Sequence, residues 1–84
     1  MARLEGKIAI VTGSARGTGA ETAKLFCQEG ARVCIADIRE EEGSVRAKSL
    51  GDAAFFQHLD VRDEASWEAC VATVRERFGP VDIL

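Results

Sequence analysis

Four short apolar runs divide this chain, and charged stretches with a longer period separate them. Lys7 to Thr12 (KIAIVT) holds Ile8, Ala9, Ile10 and Val11 in succession, which reads as a strand covered on both faces. From Thr18 to Glu29, the residues Ala20, Ala23, Phe26 and Cys27 recur at spacings of three and four, predicting a helix. Gly30 stands where a left-handed cap would end it. Ala31 to Ala36 (ARVCIA) is the second strand, closing against Asp37. Arg39 to Leu50 predicts a charged helix with a weak apolar face of Val45, Ala47 and Leu50, followed by Gly51-Asp52. Ala53 to Leu59 (AAFFQHL) gives a third strand, with Asp60-Val61 at its carboxyl end. Trp67, Cys70, Val71, Val74 and Phe78 then mark the clearest amphipathic helix, with Asp63 as its N-cap and Gly79-Pro80 beyond its end. Val81 to Leu84 opens a fourth apolar strand.

Strands alternating with helices predict an α/β fold: a Rossmann-type, doubly wound parallel sheet, truncated as β-α-β-α-β-α-β, with right-handed crossovers and strand order 3-2-1-4. Ligands of such sheets bind outside the carboxyl ends of the strands, at the switch point beside the first strand. The informative residues are therefore those that follow Thr12, Ala36, Leu59 and Leu84.

The turn after the first strand reads Thr12-Gly13-Ser14-Ala15-Arg16-Gly17-Thr18-Gly19, a TGxxxGxG pattern. Gly13 permits a sharp exit from the strand, Gly17 lets main-chain N–H groups approach a pyrophosphate, and Gly19 allows close helix–sheet contact. The helix that follows offers unpaired N–H groups and about half a positive charge, and Ser14 and Thr18 add hydroxyl donors. A P-loop needs Lys and then Ser or Thr after its last glycine, whereas Gly19 is followed by Ala20-Glu21. Three glycines alone would fit any tight turn, and Asp37 alone would fit a solvated acid. In order, with Asp37 eighteen residues after Gly19 and placed to accept from both adenosine ribose hydroxyls, they point to a dinucleotide.

Charge and cysteine content narrow the picture further. Eleven Lys and Arg are interspersed among fourteen Asp and Glu, for a net charge of −3, so no basic stripe exists to follow nucleic acid. The segment Met1-Ala2-Arg3-Leu4-Glu5-Gly6-Lys7 is polar, and the apolar run after it is far shorter than a signal peptide core or the roughly 20 residues that span a bilayer. No membrane partner is expected, and a cytoplasmic location follows as the default. Cys27, Cys34 and Cys70 are odd in number and lack CxxC spacing, with His58 as the single possible histidine co-ligand, so reduced, buried thiols are expected and no metal site. His58 itself, inside the third strand, is expected to be structural or exposed. A chain of this length buries only about 60 to 65 % of its unfolded surface, which suggests part of a larger domain.

The segments GKIAIVTGSARGTGAETAKLF, Asp37, HLDVRD around Asp60, and the terminal FGPVDIL together resemble the short-chain dehydrogenase/reductase family over essentially the whole chain. Within it the look is that of NAD-dependent hydroxysteroid-type members. The resemblance implies that Gly13, Ser14, Arg16, Gly17, Thr18 and Gly19 form the phosphate loop. It further implies that Asp37, with Ile38 beside it, holds the adenine ribose, and that Asp60 and Val61 contact the adenine ring, Asp60 accepting from its amino group. On the residues alone, Asp60 serves equally well as a cap for the Trp67 helix. Thr18 departs from the Ile or Leu usual in the family, which touches loop packing and not phosphate geometry. A carboxylate at position 37 repels a 2′-phosphate by about 1 kcal/mol at 4 Å in water and several times that where solvent is partly excluded, so NAD is expected over NADP. Arg16 and Arg39 either soften that repulsion or are ordinary surface arginines pairing with Glu40 to Glu42.

Family catalysis uses a Ser and the Tyr and Lys of YxxxK, and this chain has no tyrosine. The expectation is that residues 1–84 are the N-terminal half of a single NAD-binding domain, incomplete at the C-terminal end and inactive alone, with no catalytic residue of their own. A longer form would transfer hydride between NAD and a small alcohol or ketone substrate, as a homo-oligomer. Two other readings stay open: a non-catalytic nucleotide-binding module, and a non-functional truncated product left with an open sheet edge.

Overall fold

Alternate residues of each apolar run face opposite ways, and in this chain both directions lead into core. The computed structural model describes residues 4–83; Met1, Ala2 and Arg3 of the polar N-terminal stretch and Leu84 of the expected fourth strand lie outside them. Strands β1 (Ile8–Thr12), β2 (Arg32–Asp37) and β3 (Ala54–His58) form a parallel sheet in the order β3-β2-β1. Helices α1 (Gly17–Gln28) and α2 (Glu40–Ser49) connect them, and α3 (Glu64–Arg77) follows β3. Ile10 stands opposite Cys34, and Cys34 opposite Phe55.

Ile8, Ile10, Cys34, Ala36 and Phe55 pack with Cys70 and Val74 of α3, while Ala9, Val33 and Ile35 pack with Ala23 of α1 and Ala47 of α2. The helices therefore divide between the two faces. Right-handed crossovers require this: α1 and α2 serve steps in one direction across the sheet, and α3 serves the return. The return reaches β1, where Ile83 bridges Ala9 in parallel. Ile10 N–H donates to the Ile83 carbonyl at 2.9 Å, and the Ile8 amide to the Asp82 carboxylate at 3.0 Å. The expected fourth strand thus sits beside β1 as a single bridge and not as a ladder among the described residues.

Helix ends follow the expected chemistry. Gly30, at φ +94°, ends α1: its N–H donates to the Cys27 carbonyl and that of Ala31 to the Phe26 carbonyl, the paired bonds of a Schellman cap. Asp63 caps α3 by accepting from the Ala65 amide at 3.0 Å. The face expected for α2 holds at Ala47 and Leu50, which pack into the core, and needs correction at Val45. Val45 is 68 % exposed, and the buried seam is Gly43 with Ala47, four residues apart on one side of the helix. A Cβ on Gly43 would lie 2.2 Å from the Phe56 ring, so the glycine lets α2 settle on β3. The segment after α2 also differs, since Gly51–Ala53 is a short 3-10 turn and β3 starts at Ala54.

Cys34 and Cys70 are fully buried, and Cys27 only partly; all three are free thiols. The neighbouring Cys70 thiol, with burial, raises the Cys34 thiol well above the ordinary cysteine range. His58 is exposed at the end of β3. No helix among the described residues is long and apolar enough to cross a membrane, and no group of three His, Cys, Asp or Glu there is placed to hold a metal ion.

Candidate functional site

The carboxyl ends of β1 and β2 carry the glycine loop and Asp37 side by side. Gly13 and Gly17 adopt φ of +63° and +64°, values that side chains rarely tolerate, and turn the chain from β1 into α1. A Cβ on Gly17 would meet nothing within 4 Å, so the main chain there is open to an incoming group. The N–H groups of Gly17, Thr18 and Gly19 donate to no acceptor among the described residues, and the first turn of α1 has no acidic side chain to offset its positive end. Thr18 is exposed on that turn.

Gly19 plays a different part from the one expected. A Cβ there would lie 2.3 Å from the Gly13 carbonyl oxygen, so the close contact it permits is between α1 and the loop's own first glycine, not the sheet. Ser14 is also corrected. Its side chain is fully buried, donating to the Val11 carbonyl at 2.5 Å and accepting from the Ala36 amide at 3.1 Å. The hydroxyl proton is committed to the protein, and the residue links β1 to β2 beyond their ladder. Arg16 occupies the N-cap position in an extended conformation without capping through its side chain, and pairs loosely with Glu42 at 3.7 Å, one of the surface pairings anticipated.

Asp37 points into the loop. One carboxylate oxygen accepts from the Ala15 amide at 3.2 Å, and the other from the Arg39 amide at 2.9 Å and the Arg39 guanidinium at 3.3 Å. Burial alone would push this carboxyl up, but the Arg39 and Ala15 amides and the Arg39 charge outweigh it, and Asp37 titrates below the usual aspartate value. Ile38 follows, half exposed beside the mouth.

The end of β3 joins through the Leu59 amide, which donates to the Asp37 carbonyl at 3.0 Å. Asp60 does not cap α3, since Asp63 does. Its carboxylate takes the Arg62 amide at 3.0 Å and the guanidinium at 3.2 Å, and these bonds hold it below the usual range. Val61 is exposed, and its carbonyl accepts from the Trp67 indole at 3.0 Å, while Ser66 accepts from the Asp60 amide. The α3 helix thus fixes the Asp60-Val61 corner through residues that the sequence pattern assigned only to packing or to nothing. Ala15 was missed as well, and its signal is small size at a buried loop position.

A profile of the family described as short chain dehydrogenase matches residues 7–84. The chain is 50 % identical to a sorbitol dehydrogenase of Cereibacter sphaeroides and 44 % identical to a 3-beta-hydroxysteroid dehydrogenase of Comamonas testosteroni, in each case over 98 % of this chain and 32 % of the relative. It spans about a third of the length of the curated relatives it matches. Among solved structures it superimposes on a 3-ketoacyl-(acyl-carrier-protein) reductase of Brucella melitensis complexed with NADH, with a TM-score of 0.92 and 38 % identity over 95 % of this chain and 33 % of that one. A hydroxysteroid dehydrogenase of Escherichia coli gives 0.93 with 32 % identity, over 99 % of this chain and 37 % of that one. With its parallel sheet, its TGxxxGxG turn and a profile match over nearly all its residues, the chain belongs to the short chain dehydrogenase family of oxidoreductases.

Proposed function

We propose that the mouth between the glycine loop and Asp37 binds the adenosine diphosphate half of NAD, and that these residues are the cofactor-binding part of an enzyme that oxidises an alcohol or reduces a ketone. The observation that carries this is the Asp37 carboxylate aimed at the Ala15 amide, next to the main-chain N–H groups of Gly17, Thr18 and Gly19, which have no acceptor among the described residues. The NADH complex of a structural neighbour and the dehydrogenase names of the relatives support it.

In this reading the amides of Arg16, Gly17, Thr18 and Gly19 hold the pyrophosphate, with the open space at Gly17 admitting it. Gly13 shapes the turn, and Ser14 acts from beneath through its links to Val11 and Ala36. Asp37 accepts from the ribose hydroxyls, and the exposed side chains of Ile38 and Val61 lie against the adenine. Asp60 keeps acceptor sites beyond those Arg62 uses, enough for the adenine amino group. Bound NAD would supply the hydride acceptor; with no tyrosine among the 84 residues, these residues contribute binding and not proton transfer. NAD is favoured over NADP because a 2′-phosphate would meet the Asp37 charge. A homo-oligomeric longer form in the cytoplasm belongs to the same reading.

The test is titration of the chain with NAD and NADP, followed by amide chemical shifts. Weak binding of NAD, above micromolar, is expected, with shifts confined to residues 13–19, 37–39 and 60–61. Replacing Asp37→Ala together with Ile38→Arg is expected to move preference toward NADP, and unchanged discrimination would refute the assignment.

A further inference from the structure

Asp37 meets solvent over only 3 % of its side chain, although the proposed ribose contact needs its oxygens within reach. Three groups donate hydrogen bonds to them. Two are the main-chain amides of Ala15 and Arg39, fixed by the loop and by the turn into α2. The third is the Arg39 guanidinium, whose bond at 3.3 Å is the longest of the three and whose side chain is 42 % exposed on a flexible stem. It is the one partner that a ligand can push aside without moving the backbone.

We propose that the Arg39 side chain is a displaceable cover on Asp37, which competes with the ribose diol for the carboxylate and, once displaced, stands beside the 2′ position as a cation. This rests on the ribose role proposed for Asp37 and makes Arg39 a specificity-determining residue. The two consequences have opposite sign. Ribose hydroxyls must replace a charge-assisted bond that already exists, so the cover weakens binding of the unphosphorylated sugar. A 2′-phosphate, which Asp37 repels, finds the freed guanidinium as a partner, so the same side chain lessens the penalty against the phosphorylated one. Arg16 does not substitute for it, because its guanidinium is turned toward Glu42.

The experiment titrates the whole chain and its Arg39→Ala and Arg39→Lys variants with ADP-ribose and with 2′-phospho-ADP-ribose, reading Kd from the amide shifts of residues 13–19. An ion pair whose arginine reaches solvent and can leave is worth about 1 kcal/mol, so Arg39→Ala is expected to tighten ADP-ribose about two- to fivefold. It is expected to weaken the 2′-phosphorylated ligand by a similar factor. Arg39→Lys keeps the charge and is expected to retain most of the affinity for the phosphorylated ligand. Unchanged or weaker ADP-ribose binding in Arg39→Ala, or changes of one sign for both ligands, overturns the cover. A wild-type chain whose loop amides do not respond to ADP-ribose at all overturns the ribose site itself, and the cover with it.

Discussion

Removing one oxygen atom tests the account of Ser14. In Ser14→Ala two buried hydrogen bonds are lost, the one the hydroxyl donates to the Val11 carbonyl and the one it accepts from the Ala36 amide, at a position with no solvent exposure, while Thr12 and Ala36 stay partners in the ladder. A buried hydrogen bond contributes about 0.5 to 1.5 kcal/mol net, and the space vacated by a hydroxyl is too small to admit a bridging water. Two such bonds make about 2 kcal/mol in all. For a domain of this size each kcal/mol lowers the melting temperature by about 4 to 8 °C, which places the loss at about 8 to 16 °C in a circular dichroism melt. Thr18→Ala is the control: its hydroxyl is exposed and makes no bond, so its melt is expected to stay at the wild-type value or slightly above, as alanine is the better helix former. A Ser14→Ala protein melting within about 2 °C of wild type would refute the idea that this hydroxyl holds the two strands together.

Two further substitutions and a pH series test the same mouth. Gly19→Ala drives a methyl group into the Gly13 carbonyl and is expected to cost about 1 to 3 kcal/mol in urea denaturation; a cost under about 0.5 kcal/mol would mean that α1 slides away freely. The Asp37 pKa is depressed in the folded chain, so its contribution to stability is complete above the unfolded value near about 3.9 and is lost as pH falls through the lower folded value. Denaturation midpoints are expected to drop below about pH 4, with a shallower acid limb in Asp37→Asn. An identical acid limb in that variant would assign the loss to other carboxylates.

The fold was legible because its signals are local. A continuous apolar run such as Lys7 to Thr12 has few solutions other than a strand with two covered faces, and Gly30 and Asp63 mark helix ends by their own backbone and side-chain chemistry. The seam of α2 was not legible, because it is made by the absence of a side chain at Gly43, to which a count of apolar residues is blind. The site divides the same way. The open amides at Gly17 to Gly19 follow from the turn pattern, whereas the fate of each polar side chain depends on partners far along the chain. Ser14 and Ala36 lie 22 positions apart, as do Ala15 and Asp37. No spacing rule announces that a serine in a phosphate-type loop spends its hydroxyl on the next strand.

Those long-range bonds have a consequence for how the mouth responds to change. Gly13 N–H takes the Ala36 carbonyl, Ser14 Oγ takes the Ala36 amide, and Ala15 N–H takes the Asp37 carboxylate. Three successive loop residues thus bind two successive residues of β2, carrying the contact from the last rung of the ladder, Thr12 opposite Ala36, into the loop. Loop and acid behave as one rigid unit, and a substitution at Asp37 is felt in the glycine turn as well as at the ribose. Asp37→Ala removes the acceptor for Ala15, so on its own it confounds lost sugar recognition with a loosened loop. Asp37→Asn retains one carbonyl oxygen, enough for the Ala15 amide or the Arg39 amide but not for both, while discarding the charge. The two variants are therefore expected to shift cofactor preference alike but to differ in melting temperature, with the alanine protein the less stable. Equal melting temperatures would show that the loop holds its shape without the carboxylate.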